Sequence, residues 1–194
     1  HIDIDPSSIN KNVLVNIGLI GDAGKILKNI NANIKKNGYK PINYSKSKWW
    51  QTINKWRSKD CLSFSSSEKV IKPQQALQVL NSKIKNKDFY ITTEVGQHQM
   101  WAAQFISFNK PNRWMTSGGL GTMGYGFPAS IGVQIANPKS LVVCVAGEAS
   151  FLMNLQELST VKQYNLPVKV FIMNNRYLGM VRQWQEFFHG KRYS

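Results

Sequence analysis

The side chains best suited to chemistry fall in three short segments. Glu148, within Gly147-Glu148-Ala149-Ser150, follows one run of apolar residues, and Asn174-Asn175 follows the next. A carboxylate at one strand end and a carboxamide at its neighbour can share a hard cation. Mg²⁺ takes oxygen ligands and commonly joins one or two protein groups to a ligand's phosphates. A helix beginning after Ser150 would aim its N-terminal N–H groups at the same spot, which favours an anion. Carboxylate, amide, helix start and cation together describe a diphosphate site. The second segment, Ser117 to Gly126, is a glycine-rich turn leading into a helix from Pro128, and its glycines let backbone approach a ligand closely. The third is Glu94-Val95-Gly96-Gln97-His98-Gln99-Met100-Trp101.

Strand ends must hold all three. Leu141 to Ala146 is almost wholly apolar, as a central parallel strand covered on both faces requires. Phe89 to Thr93 reads as a strand, and Val168 to Met173 as a second buried one. Phe151 to Asn165 reads as a helix, with Pro167 breaking the chain after it. This is a βαβ crossover, right-handed in nearly all cases. Ligands in open α/β sheets sit at the carboxyl ends of strands, where the three segments fall. Ala76, Leu77, Leu80 and Ile84 mark a helix face, so this α/β domain spans 73–194.

Upstream, residues 1–38 read as strand, loop, strand and helix, the end of another α/β domain. His1 to Asp5 alternates as a strand already under way, and Val13 to Ile20 is mostly apolar. Asp22 can cap a helix from Ala23 whose face is Ile26, Leu27, Ile30 and Ile34, with Gly38 ending it. Residues 39–72 form a connector with a short helix, where Trp49, Trp50, Ile53 and Trp56 recur at helical spacing as packing residues. A start at His1 within a strand, and a stop at Arg192-Tyr193-Ser194 without a helix-ending signal, are expected of a chain truncated at both ends.

The 194 residues are 42% hydrophobic and 18% charged, enough for a packed core. The net charge of +15 permits a rival of another class, a non-catalytic basic module that binds phosphates or nucleic acid. That reading needs a contiguous basic face. The lysines are instead scattered from Lys25 to Lys87 among asparagines, so neither nucleic acid nor a membrane is expected as partner. Cys61 and Cys144 stand far apart, which suits a reducing compartment and neither a disulfide scaffold nor a zinc site. Alone, His98 reads as a core histidine, Met123 and Met180 as core fillers, Trp184 as helix packing and Asp22 as a cap.

Neighbouring words change those readings. Gly147-Glu148-Ala149, then 24 residues, then Asn174-Asn175 resembles the Gly-Asp-Gly…Asn-Asn signature of thiamine-diphosphate enzymes. Val95 to Trp101, Gly118 to Gly124, Met153 to Leu158 and Gly179-Met180-Val181-Arg182-Gln183-Trp184 narrow the resemblance to acetohydroxyacid synthase (acetolactate synthase) catalytic subunits. His1 to Asp5 and Gly21-Asp22 resemble the end of that family's middle, FAD-binding domain. The implied fold is the α/β thiamine-diphosphate-binding fold, a mostly parallel sheet flanked by helices.

The resemblance implies a carboligase that decarboxylates pyruvate and adds its two-carbon unit to a second 2-ketoacid. Pyruvate oxidase and glyoxylate carboligase types are the alternatives of the same architecture. By the same resemblance, Glu148, Asn175 and the Tyr177 carbonyl would ligate Mg²⁺. Val95, Gly96, Gln97, His98, Gly121, Met123, Gly147, Ala149 and Ser150 would contact the cofactor. Met180 and Trp184 would line the second substrate's channel, and Asp3 and Asp22 would touch FAD in a non-redox role. The family implies a dimer or tetramer with the site between subunits, a regulatory small subunit, and a bacterial cytoplasmic or plastid location. It also places the activating glutamate in an N-terminal domain outside this chain, so the chain alone is expected to be inactive. Where the signature has Asp and Gly, this chain has Glu148 and Ala149, which implies altered metal binding.

Overall fold

The computed structural model describes residues 1–40 and 43–193. Pro41 and Ile42 of the expected connector, and Ser194, lie outside the described residues. Chain contacts divide the protein into two units, His1–Cys61 and Leu62–Ser194, with the division inside the stretch expected to connect two domains.

In the first unit, β1 (Ile2–Asp3) and β2 (Leu19–Ile20) pair in parallel. The apolar stretch from Val13 yields only this two-residue strand. Val13, Leu14 and Ile17 are exposed, because a two-stranded ribbon has little face on which to bury them. α1 (Ala23–Lys36) starts where the Asp22 carboxylate accepts from the Lys25 N–H at 2.9 Å, the cap expected from sequence. Gly38, with φ 67°, follows its end. α2 (Lys48–Arg57) is capped by Ser47. Trp49 and Trp56 meet edge to face at 5.6 Å but remain largely exposed, so the packing expected of the tryptophans is partial.

The second unit runs α3 (Pro73–Ile84), β3 (Phe89–Thr93), α4 (Gln97–Phe105), β4 (Trp114–Thr116), α5 (Gly126–Ala136), β5 (Leu141–Ala146), α6 (Glu148–Leu152), α7 (Leu158–Gln163), β6 (Lys169–Ile172) and α8 (Gly179–Phe188). Its sheet has the order β4-β3-β5-β6, and every pair is parallel. This is the α/β fold expected, preceded by the end of another α/β unit. Period-two alternation sorts β5 onto two cores. Val143 and Val145 join Leu77, Phe89, Ile91 and Ala102 on the α3–α4 face. Cys144 and Ala146 join Phe127 and Ile131 of α5, with Phe151 and Val161 beyond. Burial pushes the Cys144 thiol up to about 12, which makes it an inert core residue. Among the described residues, no helix is long and apolar enough to cross a membrane.

Two elements depart from the sequence reading. The helix expected over 151–165 is broken into α6, a 3-10 turn at Leu155–Glu157, and α7. Asn154 turns out of helical geometry (φ −131°); its backbone N–H donates to the Phe151 carbonyl at 3.3 Å, and its side-chain amide donates to the Gly124 carbonyl. The strand expected to be buried over 168–173 is β6, which lies at the edge of the sheet among the described residues, with Ile172 exposed; apolar composition does not report which neighbours flank a strand.

Candidate functional site

From β3 the chain moves to β4 on one side, then returns past β3 to β5 and β6 on the other. The direction of winding therefore reverses between β3 and β5. Loops leaving their carboxyl ends diverge there and open a crevice, the usual ligand position in such sheets. A cleft of ≈ 230 Å³ lies there. Val95, Gly96, Gln97 and His98 line it after β3, Gly147, Glu148, Ala149 and Ser150 after β5, and Asn175, Tyr177 and Met180 after β6. Gly121 and Met123 of the glycine-rich turn line it too, so every thiamine-diphosphate and Mg²⁺ contact named from sequence borders the cleft. Trp101, Met173, Leu178, Gly179 and Val181 also line it; apolar packing residues of this kind carry no signal that separates them from core.

His98 occupies the centre of the switch point. A Cβ on Gly96 would stand 2.7 Å from its Cε1, and one on Gly147 would stand 2.9 Å from its Nδ1. The imidazole is thus seated between two glycines, one from each diverging strand end. It is 6% exposed, and its Nε2 is buried without a protein partner. Burial pushes its pKa down to about 4, against the pull of the Glu94 backbone carbonyl and the nearby Glu148. A neutral imidazole with a free buried nitrogen can hydrogen-bond a ligand without first shedding a proton. Ser150 Oγ donates to the Val95 carbonyl at 3.0 Å, tying the two strand ends together.

Glu148 is the first residue of α6, which begins at Glu148 rather than after Ser150. It is half-buried and lies within the first turn of that helix, among the N–H groups that have no intrahelical partner. Asn175 Oδ1 accepts from the Tyr177 N–H at 3.0 Å, and Asn174 Oδ1 from the Arg176 N–H at 3.0 Å. An amide oxygen has two lone pairs, so Asn175 keeps one for a cation. Among the described residues, no three His, Cys, Asp or Glu side chains cluster. One carboxylate with amide and backbone oxygens suits Mg²⁺ that is completed by phosphate oxygens.

The glycine-rich turn also precedes a helix N-terminus, a second place where an anion could bind. That position is filled from within. Glu94 is fully buried, and its two oxygens accept from the Gly124 N–H at 2.6 Å and the Phe127 N–H at 2.8 Å. The start of α5 is therefore satisfied by a protein carboxylate, which leaves the Gly147–Ser150 end for a ligand's negative charge. Glu94 opens the motif that runs to Trp101, yet the motif itself assigns it no function. Its partners are backbone groups some 30 positions away, which no local pattern reveals.

Trp184 does not line the cleft; it stacks on Phe188 at 4.9 Å on the outer part of α8. Gln183, one residue earlier, accepts from Gln97 Nε2 at 3.0 Å and links α8 to the start of α4. In the first unit, Asp3 and Asp22 stand together at the carboxyl ends of β1 and β2, where Asp3 O accepts from the Gly21 N–H at 2.8 Å. Asp3 Oδ1 accepts from the Asp5 N–H, and Asp22 is occupied as the α1 cap.

Residues 94–194 match a family model described as "Thiamine pyrophosphate enzyme, C-terminal TPP binding domain". All of the chain is 47% identical to acetolactate synthase isozyme 3 large subunit of Escherichia coli (strain K12), covering 34% of that protein. It is 46% identical to the acetolactate synthase large subunit of Porphyra purpurea, covering 32%. It is 48% identical to that of Buchnera aphidicola subsp. Schizaphis graminum, covering 33%. The chain spans about a third of the length of these curated relatives. With the family model matching from the end of β3 onward and relatives matching end to end, this chain belongs to the thiamine pyrophosphate enzymes and is similar over its whole length to their acetolactate synthase large subunits.

Proposed function

We propose that this chain is the part of an acetohydroxyacid synthase catalytic subunit that holds the diphosphate end of thiamine diphosphate together with Mg²⁺. The observation that carries the proposal is the buried, partnerless His98 Nε2 in a cleft that also holds Glu148 and Asn175. A buried nitrogen without a partner is costly unless a ligand satisfies it. When bound, the cofactor supplies the chemistry that decarboxylates pyruvate and passes its two-carbon unit to a second 2-ketoacid, giving 2-acetolactate or 2-aceto-2-hydroxybutyrate for branched-chain amino-acid synthesis. The protein's part is to bind, orient and exclude water.

In this reading Glu148, Asn175 and the Tyr177 carbonyl hold Mg²⁺. Val95, Gly96, Gln97, His98 and the Gly147–Ser150 turn receive the cofactor, Gly121 offers backbone to it, and Met123 supports it from below. Met180 and Trp184 lie on the second substrate's side. Asp3 and Asp22 hold FAD in a non-redox role. The working enzyme is a homo-oligomer with its site between subunits, accompanied by a regulatory small subunit, in a bacterial cytoplasm or a plastid. The activating glutamate comes from outside this chain.

Product analysis of the full-length protein with pyruvate and 2-ketobutyrate tests the reading: both acetohydroxyacids should form, and His98→Ala should weaken thiamine-diphosphate binding. Acetolactate formation by the isolated 194-residue chain would contradict it.

A further inference from the structure

Glu94 is the one fully buried carboxylate among the described residues, and the site described above makes no direct use of it. Its oxygens meet two backbone N–H groups, of Gly124 at 2.6 Å and Phe127 at 2.8 Å, and none of the ion pairs among the described residues includes it. Burying a carboxylate is costly, and an apolar side chain of similar size would fill the same space more cheaply. What the carboxylate adds is direction, since it fixes the two amides it accepts from.

Those amides bracket the junction of the glycine-rich turn with α5. Between them Gly126 lies directly on the backbone of Thr93 and Glu94, so closely that any Cβ there would overlap the Thr93 carbonyl carbon and the Glu94 nitrogen. Gly124 is held from both sides. Its N–H goes to Glu94, and its carbonyl accepts from the Asn154 amide. Its φ of 87° suits glycine, and a Cβ would stand 2.7 Å from Asn154 Nδ2. Met123 is the next residue back, and Gly121 lies two beyond it; both line the cleft. The tip of the same turn is free by contrast, with Leu120 exposed.

We propose that Glu94 is a positioning residue: from beneath the glycine-rich turn it fixes where Met123 and Gly121 stand in the cleft, and so sets how well the cleft receives thiamine diphosphate. The inference rests on the cofactor reading of the cleft given above. A purely structural N-terminal cap would stabilise α5 without bearing on the ligand.

Glu94→Gln separates the two in the full-length protein. Glutamine keeps the shape but turns one acceptor into a donor, which must then face Gly124 or Phe127. Calorimetric titration with thiamine diphosphate in Mg²⁺ should show affinity falling by roughly tenfold, the size of one lost charge-assisted hydrogen bond to a buried group. Amide exchange across residues 117–127 should quicken. A lower melting temperature with unchanged cofactor affinity overturns the proposal and leaves a cap only. Should Glu94→Gln fail to fold, Asn154→Ala releases Gly124 from its other side with Glu94 intact. It should also weaken cofactor binding, and unchanged affinity there is equally fatal. His98→Ala guards the underlying reading. If it loses affinity while Glu94→Gln does not, only the positioning role fails; if neither loses affinity, the cofactor reading falls and the inference falls with it.

Discussion

The two walls of the cleft are built in opposite ways. The wall at the ends of β3 and β5 is tied down from within: Glu94 clamps α5, Ser150 ties Val95, and His98 is wedged between two glycines. The wall after β6 is open. Tyr177, Leu178 and Val181 are exposed, and local contacts hold the turn, two asparagine side chains on nearby amides and Arg182 stacked 4.0 Å over Tyr177. Polar groups on the first wall are fixed before any ligand arrives, which lowers the cost of binding. The second wall contributes apolar surface but little that holds its own fold. Stability and cofactor affinity should therefore reside in the first wall.

Phe127→Ala should break the contrast most severely. Phe127 is 1% exposed and packs edge to face on Phe151 at 4.9 Å. Its backbone N–H is also one of the two that Glu94 holds. Removing the ring leaves a cavity worth about 4 kcal/mol of stability, measurable by urea unfolding. A loss below about 1 kcal/mol would show that α5 is not the rigid base of this wall.

The next effect is one of pH, in protein free of metal and cofactor. Burial holds the His98 pKa at about 4, while an unfolded histidine titrates near 6.5. Between those values the unfolded chain binds the extra proton. Stability therefore falls as pH drops from 6.5 towards 4 and levels off below, by roughly 3 kcal/mol in all. His98→Gln should remove this part of the slope. An identical pH profile in the variant would assign the slope to other groups.

Glu148→Asp sharpens the boundary between the walls, because Asn175, its proposed partner in holding Mg²⁺, lies on the other one. Gly147 is packed against the His98 ring, so the backbone has little room to retreat for the longer glutamate. The shorter carboxylate should tighten Mg²⁺ binding in the full-length protein by roughly fivefold, about 1 kcal/mol. Equal affinity by titration would mean that glutamate reaches the cation without strain.

The sequence was most informative about the first wall. Leu141 to Ala146 reads as a buried strand because both of its faces are apolar, and the glycines beside His98 stand where strand-end chemistry needs them. Composition could not distinguish β6 as an edge strand, since an edge differs from a centre only in which neighbours are present. It also extended one helix through Met153 and Asn154, where a side-chain bond to Gly124 wins over the helix ladder. Glu94 was illegible for the same reason. Local pattern carries periodicity and caps, whereas a carboxylate gripping backbone from another segment leaves no periodic trace.

The smallest effect belongs to the outer face of α8, and it tests the contrast from the other side. Phe187 is 68% exposed and touches Phe188 edge to face at 6.2 Å. Truncation to alanine opens no cavity, because solvent already reaches the ring. It leaves the Gln97–Gln183 bond, which ties α8 to the first wall, untouched. Phe187→Ala should therefore change unfolding stability by no more than about 0.5 kcal/mol. A loss comparable to that of Phe127→Ala, in the same urea titration, would mean that the ring is covered in solution. The second wall would then be as fully built as the first, and the division of labour between them would have to be abandoned.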